Sequence, residues 1–540
     1  MAASADTIRE MRANARQAKS ALTKLAPYLL GLYFALWSLW GAGRTGIVDT
    51  DAARHAMNGA FIYDLFRSGH LSHPVEYAEQ YYGHLPALSM PYHPPLFPAL
   101  EALFFALFGV KLFTARLAVA AAVGASAALL YRLTEAMLEN RILAACVTAT
   151  VLSLESSQLV AQDVMLEFPS MAFLLAALCC LTDVAGRKGI SGKSAVWFAI
   201  FAAAAFWSKQ HAVLLGGVAV LTPLLSGRGS MLFRKQLIAS VALFGASVFA
   251  YIFLSSRFHN VGIHDAASSA ADLGWIARAT IPAYFEWAKA DLAGLPAAFA
   301  VCAIAASLLA WRRQGVRFRL GLYWAWIVST ALVLADLGDT NNRYLFFLFP
   351  ATVTLGYAWL YGGCARLWGH RAAAIAASGF ALAWVAAGWR HHREFLRGPA
   401  EAADMISRSG PARALYAGEA DGQFIFAVRA ADPKLEMTVI SGGKLPREAF
   451  QPSQLEEFCA RYGIDWLIVE DAPSLHPWNA IAESQPGFLR LERSIPLEST
   501  RARWRSGFLN VYRVLRGKTA PGGVLEVPVP RLGGSIPVKL

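Results

Sequence analysis

The stretch LAPYLLGLYFALWSLWGAG at residues 25–43 is an almost purely apolar run, long enough to cross a bilayer as a helix. Five basic residues precede it and predict a cytoplasmic N-terminus at 1–24, followed by an uncleaved first membrane helix. Directly after the run, residues 47–62 read IVDTDAARHAMNGAFI, which places Asp49 and Asp51 where the chain leaves the membrane. An apolar helix followed by paired carboxylates is the pattern from which we predict the fold and the site.

Composition indicates that much of the remaining chain is also built for a membrane. Of 540 residues, 56% are hydrophobic and only 16% are charged, whereas soluble proteins carry about 25% charge. The net charge of +12 fits the enrichment of Lys and Arg in cytoplasmic loops, so we predict no nucleic-acid partner. Candidate spans lie at 25–43, 95–110, 113–134, 141–160, 165–185, 194–208, 210–226, 236–256, 291–311, 320–337, 343–362 and 371–389.

The charges of the loops predict their sides of the membrane. Basic loops at 186–193, 226–235 and 311–319 are predicted to be cytoplasmic, and the long loops at 44–93 and 257–290 external. Three apolar runs lie between residues 95 and 160. The 44–93 loop before them and residue 165 after them are both predicted to be external, so only an even number of these runs can cross the membrane. The short run at 95–110 is the favoured re-entrant segment, which leaves 11 crossings. We predict a polytopic α-helical membrane protein with about 11–13 transmembrane helices, its membrane domain spanning 25–393.

Residues 394–540 have a different character and predict a small α/β domain outside the membrane. LYAGEADGQFIFAVRA (415–430) and IDWLIVED (464–471) are typical of β-strands with turns. PSQLEEFCARYG (452–463) predicts an amphipathic helix before the second of these strands. The Pro/Gly-rich end, 520–540, is predicted to be extended or mobile.

The first predicted external loop carries the first candidate for chemistry. Met57, Phe61 and Leu65 fall on one helical face, so this segment predicts an amphipathic helix that lies in the membrane interface. Such a helix would hold Asp51 near the lipid headgroups. An Asp just before a helix is also a good N-cap, so a capping role and a catalytic role both remain open for Asp51.

Three further charged residues stand at predicted outer ends of helices. Glu167 begins a long apolar helix, and Lys209 lies between two apolar runs. Arg343, followed by Tyr344, can chelate a phosphate bidentately, but it can equally snorkel to the interface. Lys209 can act as a point charge for phosphate. Two acids facing two cations at one membrane surface indicate an enzyme acting on a lipid-linked phosphate.

The segment SMPYHPPLFPAL at 89–100 adds Tyr92 and His93 near the same predicted surface. Its prolines make the return of the chain to the membrane rigid. Five of the 12 histidines fall in the 44–93 loop, but no HxH or HExxH spacing supports a metal site. The identity of any metal ligands therefore stays unknown from the sequence.

Five short motifs in order resemble the GT-C superfamily of polytopic glycosyltransferases. They are D-x-x-R-H-A at Asp51, Y-H-P-P-L at Tyr92, V-M-L-E-x-P at Glu167, S-K-Q at Lys209 and N-R-Y at Arg343. The chain is most similar to the bacterial branch related to the dolichyl-phosphate-mannose protein mannosyltransferases and the lipid A aminoarabinose transferase. The likeness covers about residues 25–360, and the C-terminal domain contributes nothing to it.

The resemblance implies an inverting enzyme that moves a sugar from a polyprenyl-phosphate donor to a hydroxyl of a lipid, glycan or protein. Asp51 matches the expected general base and Glu167 the second acid, which would orient the acceptor or bind a cation. Lys209 and Arg343 match cationic positions that bind phosphate. The remaining candidate substrate-binding residues are Arg54, His55, Tyr92, His93 and Tyr344.

This chain departs from the family beside the expected base. The family often shows Glu directly after the Asp and Tyr four residues on, where this chain has Ala52 and His55. Asp49 therefore remains a rival for the role of the base. No cofactor is certain, and a divalent cation stays open.

Other functions fit parts of the pattern. A secondary transporter would place its binding groups near the midplane, whereas the charges here cluster at one surface. A polymerase, ligase or oligosaccharyltransferase for lipid-linked glycans is hardly separable from a single-sugar enzyme, and a non-catalytic scaffold would leave the charged residues dispensable. The predicted location is a bacterial inner membrane, in contact with membrane lipids, with the site and the C-terminal domain extracytoplasmic.

Overall fold

The computed structural model describes twelve parts of the chain. They are residues 24–185, 189–258, 282, 295–310, 314–336, 342–390, 393–445, 452–471, 487–504, 507–515, 523–529 and 534–539. The predicted N-terminal segment before residue 24 and most of the 257–290 loop lie outside them.

Fourteen helices are described in the predicted membrane domain and its first loop. They are α1 Lys24–Arg44, α2 Thr50–Ser68, α3 Pro74–His84, α4 Leu96–Phe108, α5 Leu112–Leu138, α6 Arg141–Ser153, α7 Glu155–Ala161, α8 Glu167–Ala185, α9 Gly192–Ser208, α10 Leu214–Leu225, α11 Lys235–Ser256, α12 Leu295–Ala310, α13 Gln314–Asp336 and α14 Phe349–Gly388. Helices α2 and α3 belong to the 44–93 loop, and the end of the bundle that carries them is here called the loop end.

The long apolar helices confirm a polytopic membrane protein. Within the described residues, five helices are long and apolar enough to cross a membrane. A sixth span results if α6 and α7, bent by 69° at their junction, count as one. Four shorter apolar helices add to the bundle. The predicted 11–13 crossings can be reached only if these shorter helices also cross the membrane. The count therefore stays a prediction.

Helix α14 is a helical hairpin, as the two predicted runs at 343–362 and 371–389 require. Its 40 residues are interrupted by Gly369, whose φ of 84° and ψ of 167° are not helical. Tyr357 and Phe380 lie 23 positions apart, about 35 Å along a straight helix, yet their ring centroids are 6.1 Å apart. The chain therefore turns back at Gly369, because glycine adopts positive φ without steric cost.

Helix α4 begins and ends at the loop end. His93, just before it, contacts His55 of α2. Just after it, Arg116 in the first turns of α5 donates to the carbonyl oxygens of Thr45 and Gly46, at 2.7 and 3.1 Å. Since both ends of α4 lie at one end of the bundle, α4 does not cross it. This is the segment that the sequence favours as re-entrant.

Helices α1 and α5 approach each other closely through two glycines. A Cβ added to Gly124 would lie 3.0 Å from the carbonyl oxygen of Gly31, and one added to Gly31 would lie 2.7 Å from that of Gly124. Small residues at such a crossing let the backbones of membrane helices pack together.

We expect Gly124→Leu to lower the melting temperature and the folded yield in detergent, because backbone atoms of α1 cannot move aside as a side chain can. Thermal unfolding followed by fluorescence-detected gel filtration measures this. Gly379→Leu is the matched control, since a Cβ there meets nothing within 4 Å. Equal melting temperatures for the two variants would contradict the close α1–α5 packing.

The C-terminal domain is built on a five-stranded sheet in the order β3-β2-β4-β7-β5. Its strands β2 Arg413–Ala417, β3 Thr438–Ser441 and β4 Trp466–Glu470 pair in parallel. Strand β7 Phe508–Val514 runs antiparallel to both of its neighbours, β4 and β5 Leu489–Pro496. Helices α15 Pro399–Ser407, α16 Asp421–Ala431 and α17 Pro452–Tyr462 accompany it. The parallel strands are buried along almost their whole length, as expected for strands covered on both faces. The predicted small α/β domain is confirmed.

One predicted strand is wrong. In the 415–430 stretch, only the first residues are a strand, and the chain continues as helix α16. The apolar run Phe424, Ile425, Phe426 and Val428 is typical of a strand but is equally suited to a helix buried on several sides. Helix α16 packs against α15 on one side and α2 on another, so tertiary contacts decide its conformation.

The C-terminal tail is extended, as predicted. Strands β8 Val524–Val529 and β9 Gly534–Lys539 form an antiparallel pair. The pair packs on α3, where Tyr82 donates to the carbonyl oxygen of Pro528 at 3.1 Å. A short pair, β1 Leu396–Arg397 with β6 Glu498–Ser499, lies near the start of the domain.

Candidate active site

Four charged residues predicted from the sequence meet at the loop end of the bundle. Arg343 Nη2 donates to Asp51 Oδ2 at 2.9 Å, and its Nε lies 3.7 Å from Glu167 Oε1. Lys209 Nζ donates to the same Glu167 oxygen at 2.6 Å. The four groups form one connected cluster, here called the charge cluster. Each is supplied by the end of a different helical element, which brings residues up to 292 positions apart into contact.

The choice between the two loop aspartates follows from how helix α2 begins. Asp49 is the N-cap, and its Oδ1 accepts a hydrogen bond from the Asp51 backbone N–H at 2.8 Å. Asp51 lies one residue inside the helix, and its side chain turns to Arg343. The capping role that the sequence left open for Asp51 therefore belongs to Asp49, and Asp51 is the aspartate in the charge cluster.

The two ion pairs of the charge cluster differ in their access to solvent. The side chains of Glu167 and Lys209 are 0% and 5% exposed, whereas those of Asp51 and Arg343 are 22% and 12% exposed. The first pair is thus an internal support, and the second forms the accessible face.

Histidines line the side of the cluster next to Asp51. His55 lies one helical turn after Asp51 and is buried, and its ring centroid is 4.7 Å from that of His93. The ring of Tyr92 lies 4.8 Å from that of His93. Arg54 Nη1 is 3.7 Å from Asp51 Oδ1, so Asp51 faces two guanidinium groups.

The electrostatics keep Asp51 ionised. Burial alone would raise the pKa of the Asp51 carboxyl, but the positively charged Arg343 guanidinium, which donates a hydrogen bond to it, holds that pKa well below its usual range. Burial lowers the pKa of His55 to about 3, although the nearby Asp51 carboxylate acts to raise it. His55 is therefore neutral near pH 7, and arginine is the cation that holds Asp51 in its charged form.

Tyr344 and His211, a residue that the sequence did not single out, lie beside Lys209 of the cluster. The Lys209 ammonium lies 5.3 Å from the centroid of the Tyr344 ring, within the range of a cation–π contact. The His211 ring centroid is 4.6 Å from that of Tyr344. His211 follows Lys209 by two positions, so its place in the S-K-Q-H run was the signal that could have identified it.

The proline-rich segment is held in place by the bundle. Tyr251 Oη donates to the carbonyl oxygen of Tyr92 at 2.9 Å, and Gln210 Nε2 donates to the same oxygen at 2.5 Å. Asn58 and Ser89 join α2 to the start of this segment with two hydrogen bonds of 2.8 and 2.9 Å. These contacts fix His93 beside α2.

The other acid of this region has a structural partner. Asp163, four positions before Glu167, lies 3.6 Å from Arg116, the residue that also holds the loop after α1. Among the described residues, no group of three or more His, Cys, Asp and Glu side chains is placed to hold a metal ion. A divalent cation in the charge cluster stays a prediction.

An apolar cavity of about 410 Å³ lies between α4, α5, α8 and α9. Its lining continues along α8 and α4 from residues of the site, since Pro169 follows Glu167 by two positions and Phe97 follows His93 by four. All of its lining side chains are apolar, among them Phe104, Leu129 and Phe173. A charged site beside an apolar cavity in a helical bundle can accommodate the phosphate and the lipid chain of one amphiphile.

This combination of membrane bundle, terminal α/β domain and charged site has the features predicted for GT-C glycosyltransferases. Residues 92–253, which include Glu167 and Lys209, match the family described as dolichyl-phosphate-mannose-protein mannosyltransferase. A search of curated protein sequences gives no significant match.

Solved structures of two membrane proteins are similar over most of the chain. ArnT from Cupriavidus metallidurans bound to undecaprenyl phosphate has a TM-score of 0.56 at 14% identity, covering 90% of this chain and 98% of that chain. The apo state of the same protein has a TM-score of 0.55 at 14% identity, covering 92% and 98%. The archaeal oligosaccharyltransferase AglB from Archaeoglobus fulgidus, in complex with an inhibitory peptide and a dolichol-phosphate, has a TM-score of 0.52 at 11% identity, covering 86% and 72%.

The comparisons confirm three predictions. The chain has the fold of these membrane proteins, including the C-terminal α/β domain. The predicted resemblance to the GT-C superfamily is confirmed by the family match together with the fold. The same findings support the assignment of the chain as a membrane glycosyltransferase.

Proposed function

We propose that this protein moves a sugar from a polyprenyl-phosphate donor to a hydroxyl group of a lipid, glycan or protein, with inversion at the anomeric carbon. The charge cluster of Asp51, Glu167, Lys209 and Arg343, placed beside the apolar cavity, is the observation that carries this proposal. The similar ArnT structure holds undecaprenyl phosphate, which supports a lipid phosphate as the donor.

Arg343 and Lys209 are the groups that bind the donor phosphate. The accessible Arg343 carries planar N–H groups that fit phosphate oxygens in pairs, and Lys209 supplies a second positive charge behind it. When the bond between sugar and phosphate breaks, a phosphate diester becomes a monoester and gains negative charge. Fixed cations stabilise this charge in the transition state without rearranging.

Asp51 is the general base in the proposed reaction. The acceptor oxygen attacks the anomeric carbon while the bond from that carbon to the phosphate oxygen breaks. The acceptor proton passes to Asp51, and the electron pair of the broken bond stays on the phosphate. Asp51 is ionised and partly exposed, so its carboxylate can take the proton of an acceptor hydroxyl that comes within hydrogen-bond reach.

Glu167 holds both cations beside each other. Its Oε1 contacts Lys209 and Arg343, whereas its buried Oε2 has no hydrogen-bond partner among the described residues. A buried carboxylate oxygen normally has a partner. Glu167 Oε2 is therefore the group available to an acceptor hydroxyl or to a divalent cation.

The site faces the extracytoplasmic side of a bacterial inner membrane in this proposal. Basic loops mark the opposite end of the bundle, and the C-terminal domain lies at the loop end with the charge cluster. The clustering of charges at one end of the bundle disfavours a secondary transporter, whose binding groups lie near the midplane.

Donor phosphate and the Asp51 carboxylate compete for Arg343, which leads to a binding prediction. We expect Asp51→Asn to bind polyprenyl phosphate about threefold to tenfold more tightly than the wild type, although its rate of sugar transfer falls at least about 100-fold. The neutral amide removes the negative charge that competes with phosphate for the guanidinium, and tenfold in affinity corresponds to about 1.4 kcal/mol. Microscale thermophoresis in nanodiscs measures this. Asp183→Asn, at the other end of α8, is the control, and equal or weaker binding by Asp51→Asn would refute the competition.

The stereochemistry of the product tests the reaction type. A single displacement on a β-linked polyprenyl-phosphate sugar must give an α-linked product and release one polyprenyl phosphate for each sugar transferred. Nuclear magnetic resonance of the purified product reports the configuration, and thin-layer chromatography counts the released lipid. A product with retained configuration would exclude the mechanism in which Asp51 acts once as a base.

A further inference from the structure

The C-terminal sheet has a carboxyl edge of the kind at which doubly wound domains bind ligands. From β2 the chain passes to β3 on one side and then to β4 on the other, so the strand order reverses between β2 and β4. Ligands of such sheets bind at this switch point. Here the Glu470 carboxylate fills it, accepting hydrogen bonds from the backbone N–H groups of Glu419 and Ala420 at 2.9 and 2.7 Å and from Tyr416 Oη.

The same edge is docked on the helix that carries Asp51. Gly422, at the start of α16, lies so close to α2 that a Cβ there would be 3.3 Å from Ala53 Cβ. Its neighbour Gln423 donates from Nε2 to the carbonyl oxygen of Val48 at 3.2 Å. The edge at which other doubly wound domains bind a ligand therefore packs here against residues 48–53.

Arg501 contacts the cap of α2 directly. Its Nη2 lies 3.5 Å from Asp49 Oδ2 and 3.1 Å from Glu394 Oε2. The other oxygen of Asp49 accepts the Asp51 backbone N–H. A connected path therefore runs from Glu394 through Arg501 and Asp49 to the backbone of Asp51.

The C-terminal domain also holds the far end of α2. Arg429 donates to both oxygens of Asp64, at 2.7 Å from Nε and 2.5 Å from Nη2, and Tyr81 Oη donates to Asp64 at 2.9 Å. The side chains of Arg429 and Asp64 are each 2% exposed. Bidentate pairs of this kind fix orientation as well as distance. Helix α2 is therefore fixed at both ends by the C-terminal domain.

We infer that the C-terminal domain positions the general base, and that Arg501 is a positioning residue that acts through Asp49 on the start of α2. This rests on the proposed function of Asp51 as the base. The buried Arg429–Asp64 pair and the contact of α16 with α2 already join the domain to this helix. The partly exposed Arg501 adds a polar contact at the one turn of α2 that carries the reacting carboxylate, where small displacements cost large factors in rate.

The test compares Arg501→Gln with Arg490→Gln in the full-length protein. Arg490 is an exposed arginine of the same domain that pairs with Glu492. Turnover is expressed per polyprenyl-phosphate binding site, so that a loss of folded protein does not lower it. We expect Arg501→Gln to lower turnover per site about tenfold with the affinity for polyprenyl phosphate within twofold of wild type. Arg501→Lys should recover most of the rate, and Arg490→Gln should behave as wild type.

Hydrogen exchange of the segment 48–56 gives a second readout that needs no sugar transfer. We expect exchange in Arg501→Gln to be at least threefold faster there than in Arg490→Gln, because the Asp49 cap loses its support. Unchanged exchange together with unchanged turnover per site would overturn the inference. If Arg501→Gln had fewer binding sites but normal turnover at each site, the inference would also be overturned, because Arg501 would then contribute to packing only. Faster exchange in a protein without any transferase activity would support the positioning while refuting the proposed function.

Discussion

Asp51→Asn is expected to lower the turnover of sugar transfer at least 100-fold, because removing a general base costs roughly 10²–10⁴ in rate. The amide is similar in shape to the carboxylate and can still accept a hydrogen bond from Arg343, so the fold should persist. Donor binding should persist or improve, because the amide carries no charge that competes with the phosphate for Arg343. The loss should therefore appear in kcat, measured with radiolabelled donor at matched folded yield.

Asp49→Asn is the matched control for that prediction. It removes the same charge two residues away, but Asn caps helices as well as Asp does, so α2 should still begin at Thr50. Because it also neutralises the partner of Arg501, we expect its turnover to fall by about tenfold at most, as for Arg501→Gln, and to stay well above that of Asp51→Asn. If Asp49→Asn were the inactive variant and Asp51→Asn the active one, the assignment of the base would be reversed.

Lys209→Met should both abolish transfer and destabilise the protein. It leaves the fully buried Glu167 carboxylate without its closest partner, and breaking a buried pair in this way costs roughly 3–5 kcal/mol. It also removes one of the two cations assigned to the leaving phosphate. The melting temperature in detergent and the rate of transfer measure the two effects separately.

The double variant Lys209→Met with Glu167→Gln separates stability from chemistry. Neutralising both partners removes the uncompensated charge, so most of the lost stability should return. Transfer should not return, because the phosphate still lacks the lysine. A double variant that regains both stability and activity would show that the pair is only structural.

The charge cluster was predictable because its members stand at helix ends. An apolar run of bilayer length marks where a helix must begin or end, and Glu167, Lys209 and Arg343 all lie at such points. Charged residues next to apolar runs, with the sides of the membrane inferred from basic loops, were sufficient to group them. The distances between these charged groups, and which of them form ion pairs, could be obtained only from the folded structure.

Other features depend on contacts that no local pattern encodes. The choice between Asp49 and Asp51 rests on which of them caps α2, and either residue satisfies the rule for a cap. Arg501 is 452 positions from Asp49, so its role follows only from how the C-terminal domain docks. The wrong strand at 421–430 has the same cause, because that apolar run is helical only where α2 and α15 cover it.

Transfer of sugar by the purified wild-type protein is the most direct test of the central claim. Polyprenyl-phosphate donors carrying different radiolabelled sugars would be supplied in proteoliposomes with an envelope extract as acceptor, using Asp51→Asn as the blank. We expect label from at least one donor to reach an acceptor with the wild type and to stay at background with Asp51→Asn. Equal labelling by both proteins, or no labelling by the wild type from any donor, would contradict the proposed enzyme.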